Sequence, residues 1–246
     1  MQQHFDRYTR DDHEVWGILF DRQVENLQTR ACTDYLTCLN EMEGVLDGRA
    51  IPDFQGLDEA LLTKTGWSIE VVPGLIPVEE FFELLSKRRF CSSTWIRQKS
   101  QLDYLEEPDM FHDIFGHVPL LMDPEYADFM EAFGRAGMQF MGDSDAIMKL
   151  RRLYWFTIEF GLMKEAEQLK IYGAGIISSF GEAREVYETQ IDRRAFDIQT
   201  ILDTDFRTDV MQSIYYVAKS LDQVYTCLNP AIEILESRNL VVQESV

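Results

Sequence analysis

Apolar residues Val15, Ile18, Leu19, Val24 and Leu27 recur at helical spacing, which predicts an amphipathic helix over 11–30 with Asp11 and Asp12 able to cap its start. A second helix is expected over 33–46. Gly48, Pro52 and Gly56 mark a connection, and 57–65 reads as a short helix closed by Gly66. The pattern over 67–72 favours a strand, broken by Pro73-Gly74. Pro77 suits the first turn of a helix running through Arg88, and 90–96 is the next strand candidate. Beyond Pro108 the pattern predicts helices over 109–116, 124–140, 145–169, 182–190 and 209–228, with a last one opening at Pro230. Tyr172-Gly173-Ala174-Gly175 is expected to form a tight loop. The fold class expected is mainly α, with a few short peripheral strands.

Neither a repeat nor a Ser/Gly/Pro-rich linker interrupts the pattern, so a chain of 246 residues reads as a single domain over 1–246. Its 46% apolar content is enough for a real core. The balance of 23 basic and 43 acidic residues gives a formal charge of -20, which repels phosphate backbones and anionic lipid, so neither nucleic acid nor membrane is an expected partner. No apolar run is long enough to span a bilayer, and the start lacks the apolar core of an export signal. Cys32, Cys38, Cys91 and Cys227 have neither zinc-knuckle nor redox spacing and read as reduced thiols of a cytoplasmic protein, a monomer or weak homodimer.

The chemistry concentrates in Phe111-His112-Asp113-Ile114-Phe115-Gly116-His117-Val118-Pro119, which sets two histidines five positions apart. On a continuous α-helix five residues turn through about 500°, leaving the rings about 140° apart. One metal can take both only if the helix ends between them, and Gly116 and Pro119 both favour an ending there. A third donor is available in Glu159, the only acid over 153–163, where burial without a partner costs several kcal/mol. Two imidazoles and a carboxylate leave coordination positions open and suit a non-haem ferrous iron that activates oxygen. Taken alone, the spacing leaves other readings open: histidines bonded to backbone carbonyls in a non-catalytic helical interaction protein, or a zinc hydrolase with Asp113 as its base. His4 and His13 lie in a polar stretch and read as surface residues.

Three segments carry a resemblance to a known family: Glu107-Pro108-Asp109-Met110 continuing through His117-Val118-Pro119-Leu120; Leu153-Tyr154-Trp155-Phe156-Thr157-Ile158-Glu159-Phe160-Gly161-Leu162; and Tyr172-Gly173-Ala174-Gly175-Ile176-Ile177-Ser178-Ser179-Phe180-Gly181-Glu182. In content and order they resemble the pterin-dependent aromatic amino acid hydroxylases, and a weaker likeness runs from about Tyr8 to Ala218. The resemblance implies that His112, His117 and Glu159 hold Fe(2+) at the catalytic centre, with a tetrahydropterin (tetrahydrobiopterin or a relative) as cofactor and O2 as co-substrate. It implies that Arg97, in Thr94-Trp95-Ile96-Arg97, binds the substrate carboxylate through its fork, and that Ser178 helps position the substrate. It places the pterin against Gly74, Leu75 and Phe81, bordered by Tyr154 and Asp113.

Two positions depart from the animal members of the family, which have glutamate where Asp113 stands and threonine where Leu105 stands. No counterpart of those members' amino-terminal regulatory domain or carboxy-terminal tetramerisation helix is expected. Trp155 resembles the phenylalanine and tyrosine hydroxylases, because the tryptophan hydroxylases have phenylalanine there, leaving room for an indole. On a helix Trp155 would share a face with Glu159, four residues on. A bulky indole wall favours a single-ring substrate. Tyrosine hydroxylation is associated with animal members, so the resemblance implies 4-hydroxylation of L-phenylalanine to L-tyrosine. A tryptophan or tyrosine hydroxylase of the same family is the alternative.

Overall fold

A computed structural model describes residues 1–103 and 107–243. The chain starts with α1 (Arg10–Leu27), α2 (Thr33–Glu41) and α3 (Phe54–Lys64), then β1 (Ser68–Val71), α4 (Val78–Ser86) and β2 (Arg89–Ser92). Next come a π-helical turn over His112–His117, α5 (Pro124–Gln139) and α6 (Ser144–Tyr154), which runs into a second π-helical turn over Trp155–Glu159. The remainder is β3 (Leu162–Glu165), β4 (Gln168–Ile171), α7 (Ala174–Ser178), α8 (Glu182–Glu185), β5 (Asp192–Ala195), α9 (Ile198–Asp203), β6 (Ile214–Ala218), α10 (Leu221–Tyr225) and α11 (Leu228–Gln243). The class is mainly helical, as the periodicity predicts.

The start of α1 is capped differently from the expectation. Thr9 is the cap and Asp12 reaches back to it in a capping box, so the hydroxyl and the carboxylate satisfy two orphan N–H groups reciprocally. Val15, Trp16, Leu19 and Leu27 of α1 are buried, in one continuous core that extends to Leu235 of α11. Pro124 sits at the first position of α5, where its missing N–H costs nothing, and Asp123 caps it. Gly134 and Gly137 let α5 lie directly on α4. A Cβ at Gly134 would stand 2.3 Å from the Ser86 nitrogen, and one at Gly137 would stand 2.1 Å from the Phe82 ring.

β1 and β2 pair in parallel, with Ser68 opposite Arg89. A second sheet has the order β4-β3-β6-β5, antiparallel only between β3 and β4. Three helical expectations are overturned, two of them by this sheet. The run over 145–169 is helical only through the π turn and then folds into the β3–β4 hairpin. Its two-residue turn uses Ala166 at φ 46° and Glu167 at φ 64°, so the reversal carries no Asn-Gly signal. The run over 209–228 supplies β6 and the short α10, with the aromatic and β-branched Ile214-Tyr215-Tyr216-Val217 taking the strand. The run over 182–190 keeps only the four residues of α8. The loop expected at 172–175 is confined to Tyr172 and Gly173, the latter capping α7, which Ala174 and Gly175 already open.

A candidate metal centre between two π-helical turns

The histidines do not straddle a helix end, as the spacing suggested. The backbone stays helical from His112 to His117 but winds as a π-turn. Bonding i to i+5 brings residues five apart onto one face, where an α-helix would splay them. Gly116, expected to end the helix, serves close packing instead: a Cβ there would lie 2.8 Å from the Ala174 oxygen on α7. The second turn closes through a bond from the Phe160 N–H to the Trp155 oxygen at 2.9 Å, again i to i+5. Glu159 ends that turn facing the histidines. Gly173 and Gly175 make room for it, since Cβ atoms there would come within 2.5 Å and 3.1 Å of the Glu159 carbonyl oxygen.

Three donor groups converge. His112 Nε2 and His117 Nε2 are 3.3 Å apart; Glu159 Oε1 is 3.2 Å from His117 Nε2, and Glu159 Oε2 is 3.6 Å from His112 Nε2. The His112, His117 and Glu159 ligand atoms all lie within 4.8 Å of one another. The rings stand nearly perpendicular, and His117 is buried against Phe90 at a centroid distance of 4.7 Å.

The tautomer of His112 is decided by α7. The Ser178 hydroxyl donates to the Ala174 oxygen at 2.9 Å, so it accepts from His112 Nδ1–H at 2.8 Å. His112 Nε2 is thereby left with a bare lone pair aimed at the cluster. Burial pushes the His112 imidazolium down to about 4, so the ring is neutral at physiological pH. Burial acts to raise Glu159, but His117, His112 and the hydroxyl of Tyr154 outweigh it and hold the carboxyl below its ordinary range. Lone pairs this close repel unless a proton or a cation lies between them. Adjacent corners of an octahedron with metal–ligand bonds of about 2.1 Å are about 3.0 Å apart. The donor set therefore fits one divalent metal ion.

Arg97 is buried close by, but its fork is already engaged. Nε and Nη2 each donate to Asp109 at 2.8 Å, and the Arg97 backbone N–H donates to the same carboxylate at 3.0 Å. Asp109 is fully buried and also accepts from the His112 backbone N–H at 3.2 Å. One carboxylate thus joins the arginine to the first metal-facing turn. The sequence reading missed Asp109. An aspartate just after Pro108 and three residues before His112 is the pattern of a helix cap, and that signal could have found it.

Tyr154, just before the second π turn, sets its hydroxyl near Glu159 and helps hold that carboxyl below its ordinary range. Trp155 opens the same turn, five residues before Phe160. It packs on Phe160 and Phe206, each at a centroid distance of 4.6 Å, and donates from Nε1 to Gln212. Phe81 on α4 meets the Tyr154 ring edge-on at 5.2 Å. Asp113 accepts from the Ser93 N–H at 2.9 Å, and burial raises its carboxyl to about 7. Gly74, at φ 154°, and the exposed Leu75 stand in the loop between β1 and α4. Leu105 lies outside the described residues. His13 is less peripheral than expected, because its Nδ1 accepts from the Ile51 N–H at 3.1 Å.

Two further residues escaped the sequence reading. Buried Gln23 on α1 donates to the Ile177 oxygen, and Asn26 reaches the Phe180 oxygen at 3.5 Å. They fasten to α1 the segment that carries Ser178. Polar residues on an apolar helix face were the available signal.

A model of the biopterin-dependent aromatic amino acid hydroxylases matches residues 4–243. A phenylalanine-4-hydroxylase of Ralstonia nicotianae is 45% identical over 231 residues, covering 94% of this chain and 73% of that protein. The phenylalanine-4-hydroxylase of Chromobacterium violaceum is 43% identical, covering 94% of this chain and 77% of its own length. A crystal structure of the Chromobacterium violaceum phenylalanine hydroxylase with bound iron(III) and oxidised cofactor 7,8-dihydrobiopterin is similar at a TM-score of 0.88 and 43% identity, over 96% of this chain and 86% of that one. Another, with iron and phenylalanine bound, gives a TM-score of 0.87 at 40% identity, over 96% and 87%. With the family matched over almost its whole length and the donor set in place, this chain belongs to the biopterin-dependent aromatic amino acid hydroxylases.

Proposed function

We propose that this chain is a phenylalanine 4-monooxygenase that converts L-phenylalanine to L-tyrosine with O2 and a tetrahydropterin at one ferrous ion held by His112, His117 and Glu159. The observation that carries the reading is the convergence of those three donors in a chain so similar to phenylalanine hydroxylases. Bound there, ferrous iron together with the reduced pterin would activate O2 and supply one oxygen atom to the aromatic ring. The chain's own residues do the rest. Ser178 keeps His112 in the ligating tautomer, and Tyr154 steadies the Glu159 carboxylate.

Arg97 spends two fork nitrogens on Asp109, which leaves Nη1 to meet the substrate carboxylate. Ser178 borders the same space, and Trp155 walls off its far side against a two-ring substrate. A pterin would be held by Phe81, Tyr154, Asp113 and the Gly74-Leu75 loop, where positive φ and an exposed apolar side chain suit a flat ring. We read the whole as one catalytic domain, which the continuous core from α1 to α11 supports. No helix among the described residues is long and apolar enough to cross a membrane; a cytoplasmic enzyme working as a monomer or weak dimer is part of the proposal.

The test is reconstitution with ferrous iron and tetrahydrobiopterin under air, following pterin oxidation and product together. Tyrosine formed from phenylalanine in step with pterin oxidation is the expected result. Pterin oxidation without tyrosine, or faster turnover of tryptophan than of phenylalanine, overturns the substrate assignment.

A further inference from the structure

We infer that Gln212 is a specificity-determining positioning residue, which holds the Trp155 indole in place and so sets the width of the substrate pocket. The inference rests on the reading above that Trp155 walls that pocket. Gln212 lies between α9 and β6, at the end of a stretch without regular structure, yet it is buried. Each of its side-chain polar groups has a partner. Oε1 accepts from the Trp155 indole at 3.0 Å, while Nε2 donates to the Arg207 oxygen at 2.9 Å and to the Val210 oxygen at 3.0 Å. Only this orientation of the amide works, since an indole N–H can only donate and two carbonyl oxygens can only accept.

The residue is held from behind as well. Its backbone N–H donates to Oε1 of Glu182 at 3.0 Å, and the Tyr215 hydroxyl donates to the same oxygen at 2.5 Å. Glu182 is itself buried at the start of α8, so the anchor is part of the core. The same stretch supplies Phe206, stacked on the indole with planes 20° apart. Trp155 is therefore clamped on its face by Phe206 and at its one polar atom by Gln212. An indole without the second restraint can rotate about χ1 and χ2 and yield space to a larger substrate. Selection against two rings then belongs to the Trp155–Gln212 pair and not to the bulk of Trp155 alone.

The experiment is a double-mutant cycle on the iron-loaded enzyme: wild type, Gln212→Leu, Trp155→Phe and both together, each competed with L-tryptophan against L-phenylalanine. Trp155→Phe should raise the tryptophan-to-phenylalanine ratio of kcat/KM by about tenfold, and Gln212→Leu should raise it about threefold to tenfold. In the Trp155→Phe background, where no indole N–H remains, Gln212→Leu should add nothing. An unchanged ratio in Trp155→Phe overturns the wall reading on which the inference rests. A normal response there with no response in Gln212→Leu overturns the inference alone. An undiminished Gln212→Leu effect in the Trp155→Phe background also overturns it, since the glutamine would then act through the fold of its loop. If the leucine variant does not accumulate as folded protein, Gln212→Met, unbranched and of the same reach, takes its place in the cycle with the same expected ratios.

Discussion

The two π-helical turns use one device for different ends. The first, over His112–His117, spends its i to i+5 register on bringing two imidazoles together, so its use is written in the spacing of like residues. The second, over Trp155–Glu159, spends the same register on unlike pairs. Tyr154 meets the carboxylate of Glu159, and Trp155 meets the ring of Phe160. A π insertion costs helix stability, because its hydrogen bonds are poorer and the turn is wider. Here both turns sit under α7, whose packing needs the missing side chains of Gly116, Gly173 and Gly175. Tertiary contact thus offsets a local cost that the backbone alone would not bear.

The largest effect expected from breaking this arrangement is on metal binding. His112→Ala or His117→Ala should each lower ferrous iron affinity by about 100-fold or more, beyond the usual cost of losing a supporting contact, and abolish tyrosine formation. Iron content after gel filtration checks it, and full iron in either variant would mean that the two donors do not share an ion. Next in size is Arg97→Lys. An ammonium cannot bond Asp109 through two nitrogens and still reach a substrate carboxylate, so kcat/KM for phenylalanine should fall about 100-fold, or about 3 kcal/mol, while iron stays bound. Wild-type efficiency in that variant would remove Arg97 from the substrate site.

Gly116→Ala addresses the packing beneath the first turn. Its new Cβ meets a backbone oxygen that cannot swing aside, so the variant should lose about 1–3 kcal/mol of stability. Urea melts of the iron-free protein measure this, and an unchanged midpoint would return Gly116 to the role of a simple helix terminator. The smallest effect belongs to Tyr154→Phe, which removes the hydroxyl near Glu159 and leaves the ring contacts with Phe81 and Phe133 in place. Iron affinity should drop about fivefold, in line with a net hydrogen-bond value of about 1 kcal/mol. A loss as large as that of a histidine variant would make the hydroxyl far more than a brace, and the two turns would then be more alike than the geometry indicates.

Much of the helical framework was legible in the chain because α1, α4 and α5 advertise themselves by period and by their first-turn residues. The carboxy-terminal half was less so. Residues 162–171 hold only two short apolar pairs among charged residues and 214–218 is one brief apolar run, both too short to distinguish strand from helix, and the hairpin between β3 and β4 turns at Ala166-Glu167, which has no turn composition. At the site, the three donors that the fold brings together could be picked out as two histidines and one isolated acid. The bond that selects the His112 tautomer, the buried carboxylate of Asp109 that ties Arg97 to the same turn, and the clamp of Gln212 on Trp155 could not. Each joins residues distant in sequence or sharing no period.

What the sequence by itself determined is the chemical inventory: a mainly helical chain with a substantial core, a surface that repels polyanions, and a donor set suited to ferrous iron. What only the tertiary structure decided is how a five-residue spacing becomes a single face. Sequence periodicity describes one helix at 3.6 residues per turn, and the winding actually adopted over 112–117 is stabilised by α7, which comes more than fifty residues later in the chain. The same holds for Trp155. Its neighbour in the chain is the tyrosine that braces the metal-facing carboxylate, but its neighbours in space are Phe206 and Gln212, brought there by β6, a strand that its own local pattern had disguised as helix.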